Sequence, residues 1–184
     1  MRGLLLLLTL ALSPALSGAA RAAETVYWRQ DALLSDMFPG ADRIEPLVFT
    51  PTPAQAAAAA AALGAPLPRS SYTFFVAWKG ETRLGMTLID EQVGQHEPIT
   101  FAVQLDDQGR ALRHEILVYR EAYGGEVRDP RFRGQFVGKT AADPLRAGKD
   151  IRIVSGATYS SRAMAMGVKR SLVLAKLLLE SEQR

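Results

Sequence analysis

The chain has 184 residues, of which 48% are hydrophobic and 22% charged, a composition that is typical of a globular protein and excludes a disordered or fibrous one. It contains no cysteine and only two histidines, His96 and His114, which excludes disulfides, thiol nucleophiles and iron–sulfur clusters and disfavours a multi-histidine metal site. The formal net charge is +3, but without Arg2 and Arg21 of the leader 20 basic residues face 19 acidic ones. The sequence has no clustered basic surplus of the kind that indicates a nucleic-acid partner.

Residues 1–23 are predicted to be a secretory signal peptide. Arg2 supplies a positive start, residues 4–12 form an apolar run, and residues 20–22 offer small side chains at the two cleavage-determining positions. The run is short for a membrane span, and the alternative is an uncleaved anchor. In both cases we expect residues 24–184 to form one exported domain, periplasmic or otherwise outside the cytoplasm.

Two helices are predicted before the first strong strand pattern. The first covers residues 31–38 and ends at a proline and a glycine. The second covers residues 51–63 and contains seven consecutive alanines, with Thr52 as its cap, Pro53 at its first position and Gly64 at its end. We expect this small-residue helix to pack closely on a sheet.

Four strands then follow, because the hydrophobic period changes to two. They cover residues 72–79, 83–90, 99–105 and 112–118, with tight turns at residues 79–81 and 106–109. The last strand is predicted to direct one set of side chains to the core: Leu112, His114, Ile116 and Val118. The pattern predicts an antiparallel meander with one buried face, in which His114 is a hydrogen-bonded core residue.

Beyond the meander, the pattern predicts a short helix at residues 129–137 and a long terminal helix at residues 160–183. Three basic residues recur every seven positions and predict the solvent-exposed face of the long helix: Arg162, Lys169 and Lys176. Helices around an antiparallel meander make the predicted fold class α+β.

A turn rich in hydroxyl groups precedes the long helix. Its sequence is Val154-Ser155-Gly156-Ala157-Thr158-Tyr159-Ser160-Ser161. Gly156 allows a ligand to approach the backbone closely, and the free N–H groups of a helix start attract phosphate. The alternative is simple capping, in which the hydroxyl of Thr158 or Ser160 accepts hydrogen bonds from those N–H groups and nothing binds.

This turn resembles the flavinylation motif of the FMN-binding domain family. The family includes flavin-carrying subunits of the sodium-pumping NADH:quinone oxidoreductase and of the Rnf complex, as well as single-domain exported flavoproteins. The resemblance implies that FMN is joined through a phosphoester bond to Thr158 by a separate Mg²⁺-dependent flavin transferase that uses FAD. It also implies which residues surround the phosphate: Ser155, Gly156, Ala157, Tyr159 and Ser160.

The resemblance extends upstream, over roughly residues 94–171. Residues 119–127 are similar to a glutamate-plus-glycine loop of the family, and residues 132–139 to its Gln-Phe-x-Gly-Lys element. This similarity implies that Glu121 lines the flavin ring or ribityl chain and that Lys139 compensates phosphate charge. Considered by residue type alone, both are equally well explained as surface residues.

One position departs from the family pattern. Many members have an aspartate six residues before the acceptor threonine, where this chain has Arg152, and the nearest acid is Asp150. Asp150 is therefore a candidate for the role of the missing aspartate. A second polar residue, His96, is open to two explanations, a proton relay near the flavin or an ordinary loop histidine.

The resulting hypothesis is an exported electron-transfer flavoprotein with covalent FMN, no catalytic residues of its own and no metal. Its expected partners are the flavin transferase and a membrane-bound reductase or another redox protein. One alternative is an exported, non-enzymatic binding module whose hydroxyl-rich turn caps a helix or holds a phosphate ligand. Another is an enzyme that uses FMN on a small substrate in a deep apolar pocket.

Overall fold

The structure, a computed structural model, describes residues 24–183, so the predicted signal peptide lies outside the described residues. Six strands are present: β1 (Thr25–Val26), β2 (Arg43–Phe49), β3 (Tyr72–Lys79), β4 (Thr82–Val93), β5 (Pro98–Leu105) and β6 (Ala111–Tyr119). The four α-helices are α1 (Gln30–Met37), α2 (Pro53–Leu63), α3 (Pro130–Arg133) and α4 (Thr158–Glu182). The predicted α+β class is therefore confirmed.

The strands form one antiparallel sheet in the order β1-β6-β5-β4-β3-β2. The four central strands are the predicted meander, since each is joined to the next by a short turn. The sequence pattern missed the two edge strands. β2 contains Pro46, which is typical of an edge strand because proline has no N–H to donate to a second neighbouring strand.

The main core lies between one face of the sheet and the helices α2 and α4. Phe74, Leu88 and Phe101 of the sheet are fully buried there against Met164 and Leu172 of α4. α2 has the predicted ends, with a capping box between Thr52 and Gln55 and a left-handed Gly64. However, α2 packs mainly against α4 rather than directly on the sheet, as the Gln55 side-chain bond to the Leu177 carbonyl illustrates.

The second face of the sheet is also covered, so the prediction of a single buried face was wrong. α1 packs there through Leu33 and Met37, which contact a small cluster containing Ala77 and Ala102. The Gln104 side chain also donates a 2.7 Å hydrogen bond to the Met37 carbonyl. Alanines on this face leave room for a helix, a feature that strict alternation does not reveal.

β6 departs from the predicted alternation because it pairs irregularly with β5. Register shifts occur between Gln104 and Leu105 and between Thr100 and Phe101, and each adds one residue to β6. As a result Leu112 is 42% exposed and Val118 packs on the opposite face. Only His114 and Ile116 of the predicted set lie in the main core, where they are joined by Ala111 and Tyr119.

His114 is buried, as predicted, but it is not satisfied by hydrogen bonds. Neither ring nitrogen has a partner among residues 24–183. Its ring lies 5.2 Å from that of Phe136 and 6.0 Å from that of Phe101, measured between centroids. Burial, followed by the charge of Arg133, lowers the pKa of His114 from 6.5 to about 3, so the ring is neutral.

The C-terminal half matches its prediction in part. The segment predicted as one short helix is α3 followed by a 3-10 turn at Gly134–Phe136, and α4 begins at Thr158, two residues before the predicted start. Lys169 is buried rather than on the exposed face of α4. No helix within residues 24–183 is long and apolar enough to cross a membrane.

Candidate functional site

The hydroxyl-rich turn lies at the surface, immediately before α4. Ser155 and Gly156 are exposed, and the Ala157 N–H closes the turn with a 3.0 Å bond to the Val154 carbonyl. Gly156 has φ +79°, a left-handed conformation that glycine adopts without strain. No atom lies within 4 Å of the position that a Cβ would take there, so the turn is open to approach from outside.

The first turn of α4 is not capped by a side chain. Its N-cap is Ala157, which has no oxygen to offer, and the first intrahelical bond runs from Ser161 N–H to the Ala157 carbonyl at 2.8 Å. The N–H groups of Thr158, Tyr159 and Ser160 therefore have no acceptor within the helix. Capping by the hydroxyl of Thr158 or Ser160, the alternative explanation of this turn, is not what the structure contains.

The serines and the threonine of the turn and first helical turn have different surroundings. Thr158 is half-buried, and its hydroxyl forms no hydrogen bond with residues 24–183. By contrast, the buried Ser161 accepts a 3.1 Å bond from Val154 N–H. Thr158 is therefore the half-exposed hydroxyl that stands at the helix start without a partner, while the Tyr159 ring beside it is 54% exposed.

The Ser160 hydroxyl is fixed by a chain of hydrogen bonds that runs through the Tyr119 hydroxyl to the Tyr123 carbonyl. The Tyr119 hydroxyl donates its single proton to the Tyr123 carbonyl at 2.5 Å, so Ser160 must be the donor in its own 2.8 Å bond to Tyr119. Burial is the main cause that raises the pKa of Tyr119, which keeps this proton in place. A Cβ on Gly124 would lie only 2.6 Å from the Ser160 Oγ, so the glycine lets the loop approach the helix.

The Glu121 carboxylate is engaged in hydrogen bonds with the backbone of another loop. Its Oε1 accepts hydrogen bonds from the backbone N–H groups of Gln95, His96 and Glu97 at 2.5, 2.6 and 3.0 Å. The carboxylate therefore fixes the turn between β4 and β5 and contacts no residue of the turn before α4. His96 lies in this exposed turn, and its role as a proton relay stays a prediction.

A family comparison assigns the part of the chain that contains these features. Residues 94–173 match the family model described as the FMN-binding domain. Residues 94–173 are therefore similar to that domain. The match supports a flavin-binding role for the protein and agrees with the resemblance in the sequence. No curated protein matched the chain in a sequence comparison.

The segment that leads into the turn of the FMN-binding domain is held by Gln135. Its side-chain amide accepts a 2.8 Å bond from the Arg152 N–H and donates a 3.2 Å bond to the Arg152 carbonyl. The Arg152 side chain is exposed. Asp150 is bonded to the Arg146 N–H and Nε at 3.0 and 3.2 Å, and its role in recognition by the transferase stays a prediction.

Lys139 is paired with an acid four residues further along its own loop, and its predicted role beside the phosphate stays a prediction. It forms a 3.3 Å ion pair with Asp143, and Asp143 also accepts bonds from the Thr140 N–H and hydroxyl. Lys169, which the sequence pattern placed on the exposed face of α4, donates from Nζ to the carbonyls of Ala141 and Asp143 at 2.7 and 2.6 Å. The burial of Lys169 could not be predicted from its spacing in the sequence, because it depends on a loop that contacts α4 only in the folded chain.

The residues of the turn suit the phosphate end of FMN. Free helical N–H groups, the unbonded Thr158 hydroxyl and the open Gly156 are groups that can hold a phosphate. Two grooves adjoin this region. One, of about 520 Å³, is lined by Arg131, Gln135 and residues 152–154 among others. The other, of about 480 Å³, runs along α4.

Proposed function

We propose that the protein is an exported electron-transfer flavoprotein that carries FMN esterified to Thr158. The observation that carries the proposal is the half-exposed and unbonded Thr158 hydroxyl at an uncapped helix start, within a domain of the FMN-binding family. The neighbouring hydroxyls are engaged or lie elsewhere in the turn, since Ser160 bonds to Tyr119 and Ser161 to Val154.

Attachment is a transfer of the FMN portion of FAD by a separate Mg²⁺-dependent transferase. The Thr158 oxygen forms a new bond to the FMN phosphorus, the P–O bond to the AMP half of FAD breaks, and AMP leaves. The hydroxyl proton passes to a base of the transferase or to solvent. The step involves no oxidation or reduction, and the product is heavier than the chain by the mass of one FMN less one water.

A covalent link suits an exported protein. FMN that dissociated outside the cytoplasm would not be replaced from the cytoplasmic pool, so a bond makes retention independent of affinity. Because the link is at the phosphate end, the isoalloxazine ring stays available for redox chemistry, and the protein supplies its orientation and electrostatics. The chain contains no cysteine that could hold a second redox centre, so its donor and acceptor are other molecules, such as a membrane-bound reductase.

The first test is the intact mass of protein produced together with a flavin transferase. We expect one FMN increment in the wild type, none in Thr158→Ala, and full loading in the control Ser70→Ala, which removes an exposed hydroxyl outside this turn. Flavin fluorescence should stay with the wild-type chain in a denaturing gel. An increment that persists in Thr158→Ala, or that maps to Ser155 or Ser160, would refute the assignment.

The same samples separate the alternatives. A binding module that holds a free phosphate ligand would lose it in the denaturing gel and show no mass increment. An enzyme that takes hydride from NADH would be reduced by NADH alone at ordinary enzyme rates, on the order of 10 s⁻¹ or faster. We expect slow reduction by NADH and rapid electron exchange only with a redox partner, as stopped-flow absorbance would measure.

A further inference from the structure

The groove along α4 is built from three parts of the chain. α4 contributes Arg162, Ala165, Met166 and Lys169, the end of α2 contributes Leu63 and its neighbours, and residues 144–147 form the opposite wall. Its volume is about 480 Å³. The wall from α2 lies outside the segment that matches the FMN-binding domain family, so this groove is a feature of the whole described chain.

Thr158 heads the helical face that lines this groove. Arg162 follows it by four residues, Ala165 by seven and Lys169 by eleven, the spacings at which residues share one face of an α-helix. The other groove beside the turn, which contains Arg131 and Gln135, takes no lining residue from α4. A group attached to Thr158 therefore has the α4 groove directly along its own helical face.

The wall at residues 144–147 has the features of a built site. Leu145 is 3% exposed and has φ +50°, the only positive φ of a non-glycine residue within residues 24–183. Such strained conformations persist where the surroundings enforce them, and they concentrate at ligand sites. Lys169 holds the same loop to α4, because its ammonium group donates to the carbonyls of Ala141 and Asp143, the second of which lies two residues before Leu145.

The side chains in the groove also match the chemistry of FMN. Met166 is 37% exposed, an apolar and polarizable surface of the kind that packs well on aromatic rings. Arg162 is exposed and forms no ion pair with residues 24–183. Arg162 lies one helical turn after Thr158, since residues four apart are neighbours on a helix, and a guanidinium is suited to bind a phosphate through two N–H groups.

We propose that this groove seats the isoalloxazine ring of the FMN on Thr158, with the ring against Met166 and the phosphodiester bound by Arg162. This inference rests on the proposed function. It also assigns a role to α2, whose C-terminal end forms one wall of the ring site.

The test compares flavin-loaded wild type with loaded Met166→Glu and Arg162→Ala, and uses Arg131→Ala, an exposed arginine of the other groove, as the matched control. Intact mass establishes loading, and iodide quenching of flavin fluorescence and visible circular dichroism report the surroundings of the ring. We expect Met166→Glu and Arg162→Ala to raise the quenching constant several-fold and to weaken the visible dichroism, with Arg131→Ala equal to wild type.

The outcomes separate the two proposals. Wild type without a mass increment refutes the proposed function, and this inference with it. Loaded Met166→Glu and Arg162→Ala with wild-type quenching and dichroism refute this inference alone, as does an effect confined to Arg131→Ala. A second measurement needs no groove variant: hydrogen exchange of loaded wild type against unloaded Thr158→Ala should show protection at residues 62–64 and 145–147, and protection at residues 131–135 instead would overturn the inference.

Discussion

His114 should make the protein sensitive to acid. The ring is fully buried and has no hydrogen-bond partner among the described residues, and its pKa falls from 6.5 to about 3 on folding. Above pH 6.5 it is neutral in both states and contributes no pH dependence. Below that value the unfolded chain takes up a proton that the folded chain refuses, so stability falls as the pH falls from 6.5 towards 3.

The size of the effect follows from the same two values. At about pH 4.5 the free energy of unfolding is lower by roughly 3 kcal/mol than at about pH 7, because each pH unit below 6.5 removes about 1.4 kcal/mol. Urea unfolding at about pH 7 and pH 4.5 measures it in wild type and in His114→Leu, with His96→Asn as an exposed control. Carboxylates contribute equally to all three proteins. Equal losses of stability in wild type and His114→Leu would refute this account of the buried ring.

Three further predictions concern other parts of the fold. Asp90→Ala should cost about 3–5 kcal/mol in urea unfolding, because Arg170, whose side chain is 5% exposed, would lose its buried carboxylate partner; an unchanged midpoint would contradict this. Glu121→Gln should cost about 1–3 kcal/mol and speed hydrogen exchange at residues 95–97, since three N–H groups lose a charged acceptor. Gly156→Val should stay folded, at a backbone cost of about 1–2 kcal/mol for its positive φ, but should block flavin loading; a full mass increment would show that the transferase does not require this turn.

The parts of the fold predicted correctly depend on local sequence. The ends of α2 follow from Thr52, Pro53 and Gly64, whose effects act within one helical turn. The turn before α4 was found for the same reason, because its hydroxyl groups and glycine are consecutive. Six of the eight predicted site residues lie in this one turn and the start of the helix that follows.

The errors arise where distant segments meet. The buried face of β6 depends on two bulges that exist only through its pairing with β5. Lys169 has the spacing of an exposed residue, and only the loop at residues 141–145 buries it. The contacts of Glu121 span 24 to 26 residues, so no local pattern could have shown its bonds to the turn between β4 and β5, and its predicted place beside the flavin stays a prediction.

The two faces of the sheet differ in how firmly they are covered. The face towards α4 has a large core, whereas α1 covers the other with only a few buried side chains, among them Leu33 and Met37. Cooperative units of this kind open at different free energies, and the one with fewer buried contacts opens first. We therefore expect α1 to detach in a subglobal fluctuation that leaves α4 in place, so that native-state hydrogen exchange would be faster in α1 than in the buried part of α4.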